Sequence, residues 1–179
     1  IAASLAEGQT VITNAAREPE ICDLADFLIS CGAKKTGFGE GTITIDGVKK
    51  LVPADHKVIP DRIAASTFMA AVAASKGNVV IKNVIPSHLN AIVPLFEEAG
   101  CKVICSDNSI SVLSEDRLNP IKIVRTMPYP GFPTDSQAPI MAMTSLSAGT
   151  SVFVENIFES RYKHVGELSR MGANIKVDS

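Results

Sequence analysis

The chain repeats itself. Residues 1–38, 70–107 and 143–179 each read as an apolar helix, a glycine, a strand, an amphipathic helix, a second glycine and a further strand. Gly8, Gly77 and Gly149 hold the first glycine position and Gly32, Gly100 and Gly172 the second, with one period of about 70 residues in both sets. Two landmarks keeping a single period define a folding unit used repeatedly. A residue just past a helix end commonly turns left-handed, where a Cβ is strained, so these glycines are expected to close the helices before them. After the second helix of the first two copies comes a strand pair: Gly41 then TITIDG, and Asp107-Asn108 then SISVLSE, each with turn residues between alternating runs. The third copy stops before its last strand.

Two kinds of helix are predicted. Residues 63–74 (IAASTFMAAVAA) and 138–146 (APIMAMTSL) carry no charge on any face, which marks helices enclosed on all sides. Residues 20–31 and 88–99 instead place Ile21, Leu24, Phe27 and Leu28, and Leu89, Ile92, Val93 and Phe96, at helical spacing with acids elsewhere, so they should lie half exposed on the strands. The fold class is therefore α/β, built of β-α-β-α-β-β units with the uncharged helices gathered centrally and the sheets outside. The polar, Pro-containing connection 51–57 and the Val58-Ile59-Pro60-Asp61-Arg62 string place a change of lobe there, giving segments 1–59 and 60–179.

Composition narrows the function classes. Lys+Arg number 17 against 19 Asp+Glu, a formal net charge of −2 with no basic tract, which disfavours a nonspecific binder of nucleic acid or anionic membrane. The longest uncharged apolar run, 63–74, falls short of the roughly 20 residues a membrane span needs. No cationic n-region precedes an apolar stretch, so no secretory signal is expected, and a chain opening on Ile1 reads as a piece of a longer one. Cys22, Cys31, Cys101 and Cys105 lack C-x-x-C spacing and are expected to be buried thiols of a reducing, cytoplasmic compartment. His56, His88 and His164 are scattered, and no metal or cofactor is assigned.

Four strings carry a resemblance: NAAREPEICDLADFL (14–28), VIPDRIAASTF (58–68), PYPGFPTDSQAPIMA (128–142) and ENIFESRYKHVGELSRMGANI (155–175). They resemble the UDP-N-acetylglucosamine enolpyruvyl transferases, and the match runs essentially the whole chain. The shikimate-pathway enolpyruvyl transferases share the repeat, but FPTDSQA and SRYKHVGELSRMGA are similar to the sugar-nucleotide branch. The resemblance implies an enzyme of six such units in two lobes, each an inside-out α/β barrel. It would transfer enolpyruvyl from phosphoenolpyruvate to the 3-hydroxyl of UDP-N-acetylglucosamine and release phosphate, in the cytoplasm, for peptidoglycan synthesis. Residues 1–59 would be the last unit of one lobe, and 60–179 two units, the second incomplete, of the other. The family's amino-terminal Lys-Asn pair, its loop cysteine and its carboxy-terminal arginines have no counterpart here. The chain alone is therefore expected to be inactive, with the remainder of the same polypeptide as its partner and the general acid outside it.

The implied chemistry needs a base for the sugar hydroxyl, an acid for the methylene carbon, and cations for phosphate and carboxylate. Asp135 in FPTD resembles the family aspartate at the sugar hydroxyl and is the candidate base. It has a structural reading too: Thr134 and Gln137 read as a capping box, and an acid in a first helical turn suits the dipole. Pro128, Pro130 and Pro133 would stiffen its approach. Arg62 sits at a helix start, where a cation opposes the dipole, and resembles a family arginine at the interlobe cleft. Arg161 matches a family arginine near the substrate phosphate, and Ile157 a position whose backbone carbonyl meets the acetamido group. Arg17, Glu18 and Glu20 are candidate interlobe contacts, Glu18 being equally a cap before Pro19. Two other classes compete: a noncatalytic repeat module binding through its strand faces, and an RNA-processing cyclase of related architecture, which would be expected to show a cationic track.

Overall fold

A computed structural model describes residues 1–178 and divides the chain into two compact units, Ile1–Ile59 with Pro128–Pro130, and Pro60–Met127 with the chain from Gly131 onward. The first unit opens on a 3-10 turn, Ala2–Leu5, followed by β1 (Gln9–Thr13), α1 (Pro19–Ser30), β2 (Lys34–Thr36) and β3 (Thr42–Asp46). Strand order is β1-β3-β2, antiparallel throughout, with Gln9 opposite Asp46 and Thr13 opposite Thr42. Its buried apolar residues are Ala25, Leu28, Cys31, Ala33 and Ile45.

The second unit repeats this sheet. After α2 (Arg62–Ser75) come β4 (Asn78–Lys82), a 3-10 turn (Pro86–Leu89), α3 (Val93–Glu98), β5 (Lys102–Ser106) and β6 (Ser109–Leu113). The order β4-β6-β5 is again antiparallel, with Asn78 opposite Leu113 and Lys82 opposite Ser109. The expected hairpin forms across Asp107-Asn108, where Ser106 faces Ser109. The chain continues through β7 (Ile123–Arg125), a 3-10 turn (Thr134–Ser136), α4 (Gln137–Thr144), β8 (Val152–Val154) and α5 (Lys163–Arg170), with β7 and β8 paired in parallel. Met69, Val84, Phe96, Ile110, Val112, Ile121 and Ile140 share one core, between α2, α4 and the inner face of the β4-β6-β5 sheet.

Helix α4 is enclosed as its composition requires: every residue from Gln137 to Thr144 is buried or half-buried. Helix α2 is not. It packs against α4 and the sheet, but Thr67, Phe68 and Ala71 face neither, leaving Phe68 63% exposed. Uncharged composition permits burial; covering elements decide it. The single helix expected over 88–99 is broken into the 3-10 turn and α3, because Pro94 has no N–H to continue a helical ladder. Among the described residues no strand follows α5, so the strand expected after Gly172 does not form. Cys31 and Cys101 are buried as expected, whereas Cys22 is half-buried and Cys105 exposed on β5; all four are free.

The closing glycines mostly behave as read. Gly32, Gly100 and Gly172 all have positive φ, but after α2 the left-handed residue is Lys76 at φ 55, one place before Gly77. Gly100 is a tight helix closure: at φ +93 an added Cβ would also stand 2.9 Å from Asn119 Nδ2. Gly100→Val is therefore expected to destabilise by at least about 1 kcal/mol, the cost of a left-handed branched residue. A denaturant titration checks it; an unchanged midpoint would mean that the helix end can close another way.

Candidate active site

Asp135 lies in the 3-10 turn that leads into α4, with Pro133 as its extended entry residue. The turn is held from below by its neighbour: Ser136 is fully buried, and its hydroxyl lies 2.8 Å from that of Ser66 on α2. Ser66 stands one helical turn beyond Arg62. Arg62 opens α2 and is only 8% exposed, while Asp61 caps the helix by accepting from the N–H groups of Ile63 and Ala64. A first-turn arginine buried to this degree is held by more than local helix geometry, consistent with the weak local reason for a cation there.

The Asp135 carboxylate is exposed, and Arg161 Nη2 donates to its Oδ1 at 2.6 Å. The two residues, 26 positions apart, are thus brought together. The Arg161 guanidinium also rests over the Phe158 ring, 5.3 Å from its centroid. An ion pair this open to water contributes little stability. Next to Arg161, burial pushes the His164 imidazole below its ordinary range; a hydrogen bond with the Arg161 backbone opposes this and the Arg161 charge adds to it.

The expected capping box does not form. Ser136 is the N-terminal boundary of α4 and makes no side-chain cap, and both Thr134 and Gln137 turn instead to Glu155. Glu155, just after β8, is the residue that sequence reasoning missed. Its Oε1 accepts from the Thr126 hydroxyl at 2.8 Å and from the N–H groups of Ile157 at 2.8 Å and Phe158 at 3.1 Å. Its Oε2 accepts from the Thr134 hydroxyl at 2.9 Å and the Gln137 amide at 2.7 Å. Burial pushes this carboxyl up, but hydrogen bonds from the Ile157 N–H, the Thr126 and Thr134 hydroxyls and the Phe158 N–H outweigh it, leaving Glu155 below the usual carboxylate range. The group is an anion fixed by neutral donors. Ile157 is thereby held through its N–H, and the residue is exposed.

Glu18 does precede α1 as its boundary residue, yet its side chain makes no cap. Among the described residues no group of three or more His, Cys, Asp or Glu is placed to hold a metal, and no helix is long and apolar enough to cross a membrane.

The EPSP synthase (3-phosphoshikimate 1-carboxyvinyltransferase) family model matches residues 1–179. The chain belongs to that family. Within it, similar curated proteins carry the name UDP-N-acetylglucosamine 1-carboxyvinyltransferase. One from Caldanaerobacter subterraneus is 51% identical over 99% of this chain and 43% of its own length. Another, from Halothermothrix orenii, is 48% identical over 99% of this chain and 43% of its own length. The chain thus spans less than half the length of these family members. The fold agrees with solved enolpyruvyl transferases: NikO from Streptomyces tendae at TM-score 0.85 and 22% identity, over 98% of this chain and 42% of that one, and EPSP synthase from Acinetobacter baumannii at TM-score 0.61 and 19% identity, over 90% and 39%.

Proposed function

We propose that this chain is the middle part of a cytoplasmic enzyme that transfers enolpyruvyl from phosphoenolpyruvate to the 3-hydroxyl of UDP-N-acetylglucosamine and releases phosphate, for peptidoglycan precursor synthesis. Residues 1–59 are the last unit of one lobe, and 60–179 contribute two units to the other. The observation that carries the reading is the pairing of Asp135 with Arg161, on two of the strings that resemble this branch, in a chain about half identical to proteins bearing that name.

In this reading Asp135 takes the proton of the sugar hydroxyl as its oxygen attacks the second carbon of phosphoenolpyruvate. An acid from outside the chain protonates the methylene carbon. Loss of phosphate, with a proton leaving the same carbon, restores the vinyl group. Arg161 supplies positive charge toward the substrate phosphate, where a preorganised cation acts most strongly, and Arg62 is a substrate-binding arginine of the interlobe cleft. The Ile157 carbonyl accepts from the acetamido N–H. Exposure of Asp135 suits a group that must reach a substrate, and the Arg161 partner must be shared with that substrate's anionic groups.

Phosphate release is the test. The full-length protein should release phosphate with UDP-N-acetylglucosamine and phosphoenolpyruvate and not with shikimate 3-phosphate in place of the sugar nucleotide, while the 179 residues alone release none above background. Turnover with shikimate 3-phosphate, or by the 179 residues alone, overturns the reading.

A further inference from the structure

We propose that Glu155 is a positioning residue whose carboxylate clamps the Asp135 turn to the Ile157–Phe158 backbone, so that one half-buried anion sets the placement of both substrate-facing elements. The meaning of that placement rests on the function proposed above. The division of labour between the two oxygens carries the inference. Oε2 grips residues on either side of Asp135, Thr134 just before it and Gln137 two places after. Oε1 takes the N–H groups of Ile157 and Phe158, which fixes the peptide planes leading to Arg161. Thr126, at the end of β7, ties the clamp to the sheet: its hydroxyl donates to Oε1 and accepts from the Asn156 N–H at 2.8 Å, and the Asn156 amide reaches the Thr126 carbonyl at 3.3 Å. The hydrogen bonds of Glu155 go to the residues around Asp135, and that of the Asp135 carboxylate goes to Arg161. The clamp therefore acts on the base only through the backbone of its turn, and the Asp135–Arg161 pair bridges the two segments that the clamp joins.

A carboxylate used only to satisfy a turn would need the Ile157 and Phe158 N–H groups and nothing more. Reaching across to Thr134 and Gln137 exceeds that need. The Gln137 side-chain oxygen is buried with no hydrogen-bond partner, so its amide can turn over. A glutamine at 155 could then accept the backbone N–H groups through its oxygen and donate to Gln137 through its nitrogen, preserving the clamp without the charge.

The test is a set of variants in the full-length enzyme, assayed for phosphate release well below their melting temperatures. Glu155→Ala should lower kcat by roughly 10- to 100-fold, the scale of a misplaced catalytic group, with KM for phosphoenolpyruvate changed far less. Glu155→Gln should keep kcat within about fivefold of the parent, because the clamp reconnects. Asp135→Asn should cost much less in the Glu155→Ala background than in the parent, since both act on the same step. Independent losses that multiply, or a Glu155→Ala enzyme of normal kcat, overturn the clamp. If Glu155→Ala does not fold, Thr134→Val removes the Oε2 hydroxyl contact alone, and the same non-additivity with Asp135→Asn is required of it. Should Asp135→Asn itself leave turnover intact, the assignment of Asp135 as the base fails and the clamp with it, whereas a parent enzyme that releases no phosphate with these substrates fails the proposed function, so the two failures are told apart.

Discussion

Asp135→Asn in the full-length enzyme is expected to abolish most turnover while leaving the protein folded. Asparagine keeps the size of the side chain and can still accept from Arg161 through its oxygen, but it cannot take a proton at neutral pH. Loss of a positioned general base costs on the order of 10² to 10⁴ in rate, about 3 to 5 kcal/mol at 1.36 kcal/mol per tenfold. A carboxylate serving only the helix start would cost roughly 0.3 to 1 kcal/mol of stability and little rate. The structure narrows that second reading further. Among the described residues Asp135 makes no side-chain cap, and its carboxylate pairs with the partly exposed Arg161, so removal of the charge has little fold to disturb. Single-turnover kinetics beside a melting curve decide the matter: a rate within about fivefold of the parent in a folded variant would return Asp135 to a structural role.

How much of this was legible in the sequence depends on the kind of evidence each feature left there. The repeat and its strand pairs were readable because turn residues and alternating runs sit at fixed intervals; that each pair joins the strand before the second helix in a three-stranded antiparallel sheet was not, because that pairing is set across the unit and not by a turn. The break at Pro94 was readable in principle, since a proline inside an apolar helical pattern interrupts the ladder, but the spacing of Leu89, Ile92, Val93 and Phe96 hid it. The site was legible where long strings carry it, at Asp135 and Arg161, and their meeting at 2.6 Å was not, because nothing local links positions 26 apart. Glu155 left the weakest trace. The pattern Thr-x-x-Gln at 134–137 looks like a self-contained capping box, and only tertiary structure reveals that both side chains are taken by a carboxylate on another element.

Burial in the second unit followed packing and not composition, and two phenylalanines make the point testable. Phe68 belongs to the uncharged α2, the helix expected to be enclosed, yet it is 63% exposed; Phe96 belongs to the short, acid-bearing α3 and is fully buried. The reason is geometric. After the Pro94 break, α3 turns Phe96 into the core with Leu89, Ile92, Ile110 and Val112, and the Phe96 carbonyl accepts from the Cys101 N–H at 2.9 Å as the chain enters β5. Phe96→Ala therefore removes a large side chain from a site fixed by backbone on both sides, where collapse to fill the space is hindered. The expected cost is about 3 to 5 kcal/mol, a large share of the roughly 5 to 15 kcal/mol by which a domain is stable. Phe68→Ala in the same 179-residue chain should change stability by no more than about 0.5 kcal/mol, as for other exposed positions. Denaturant midpoints of the two variants, read against the parent, check the difference. Equal losses at the two positions would mean that α2 is covered on its Phe68 face in solution, and that its composition had been the better guide.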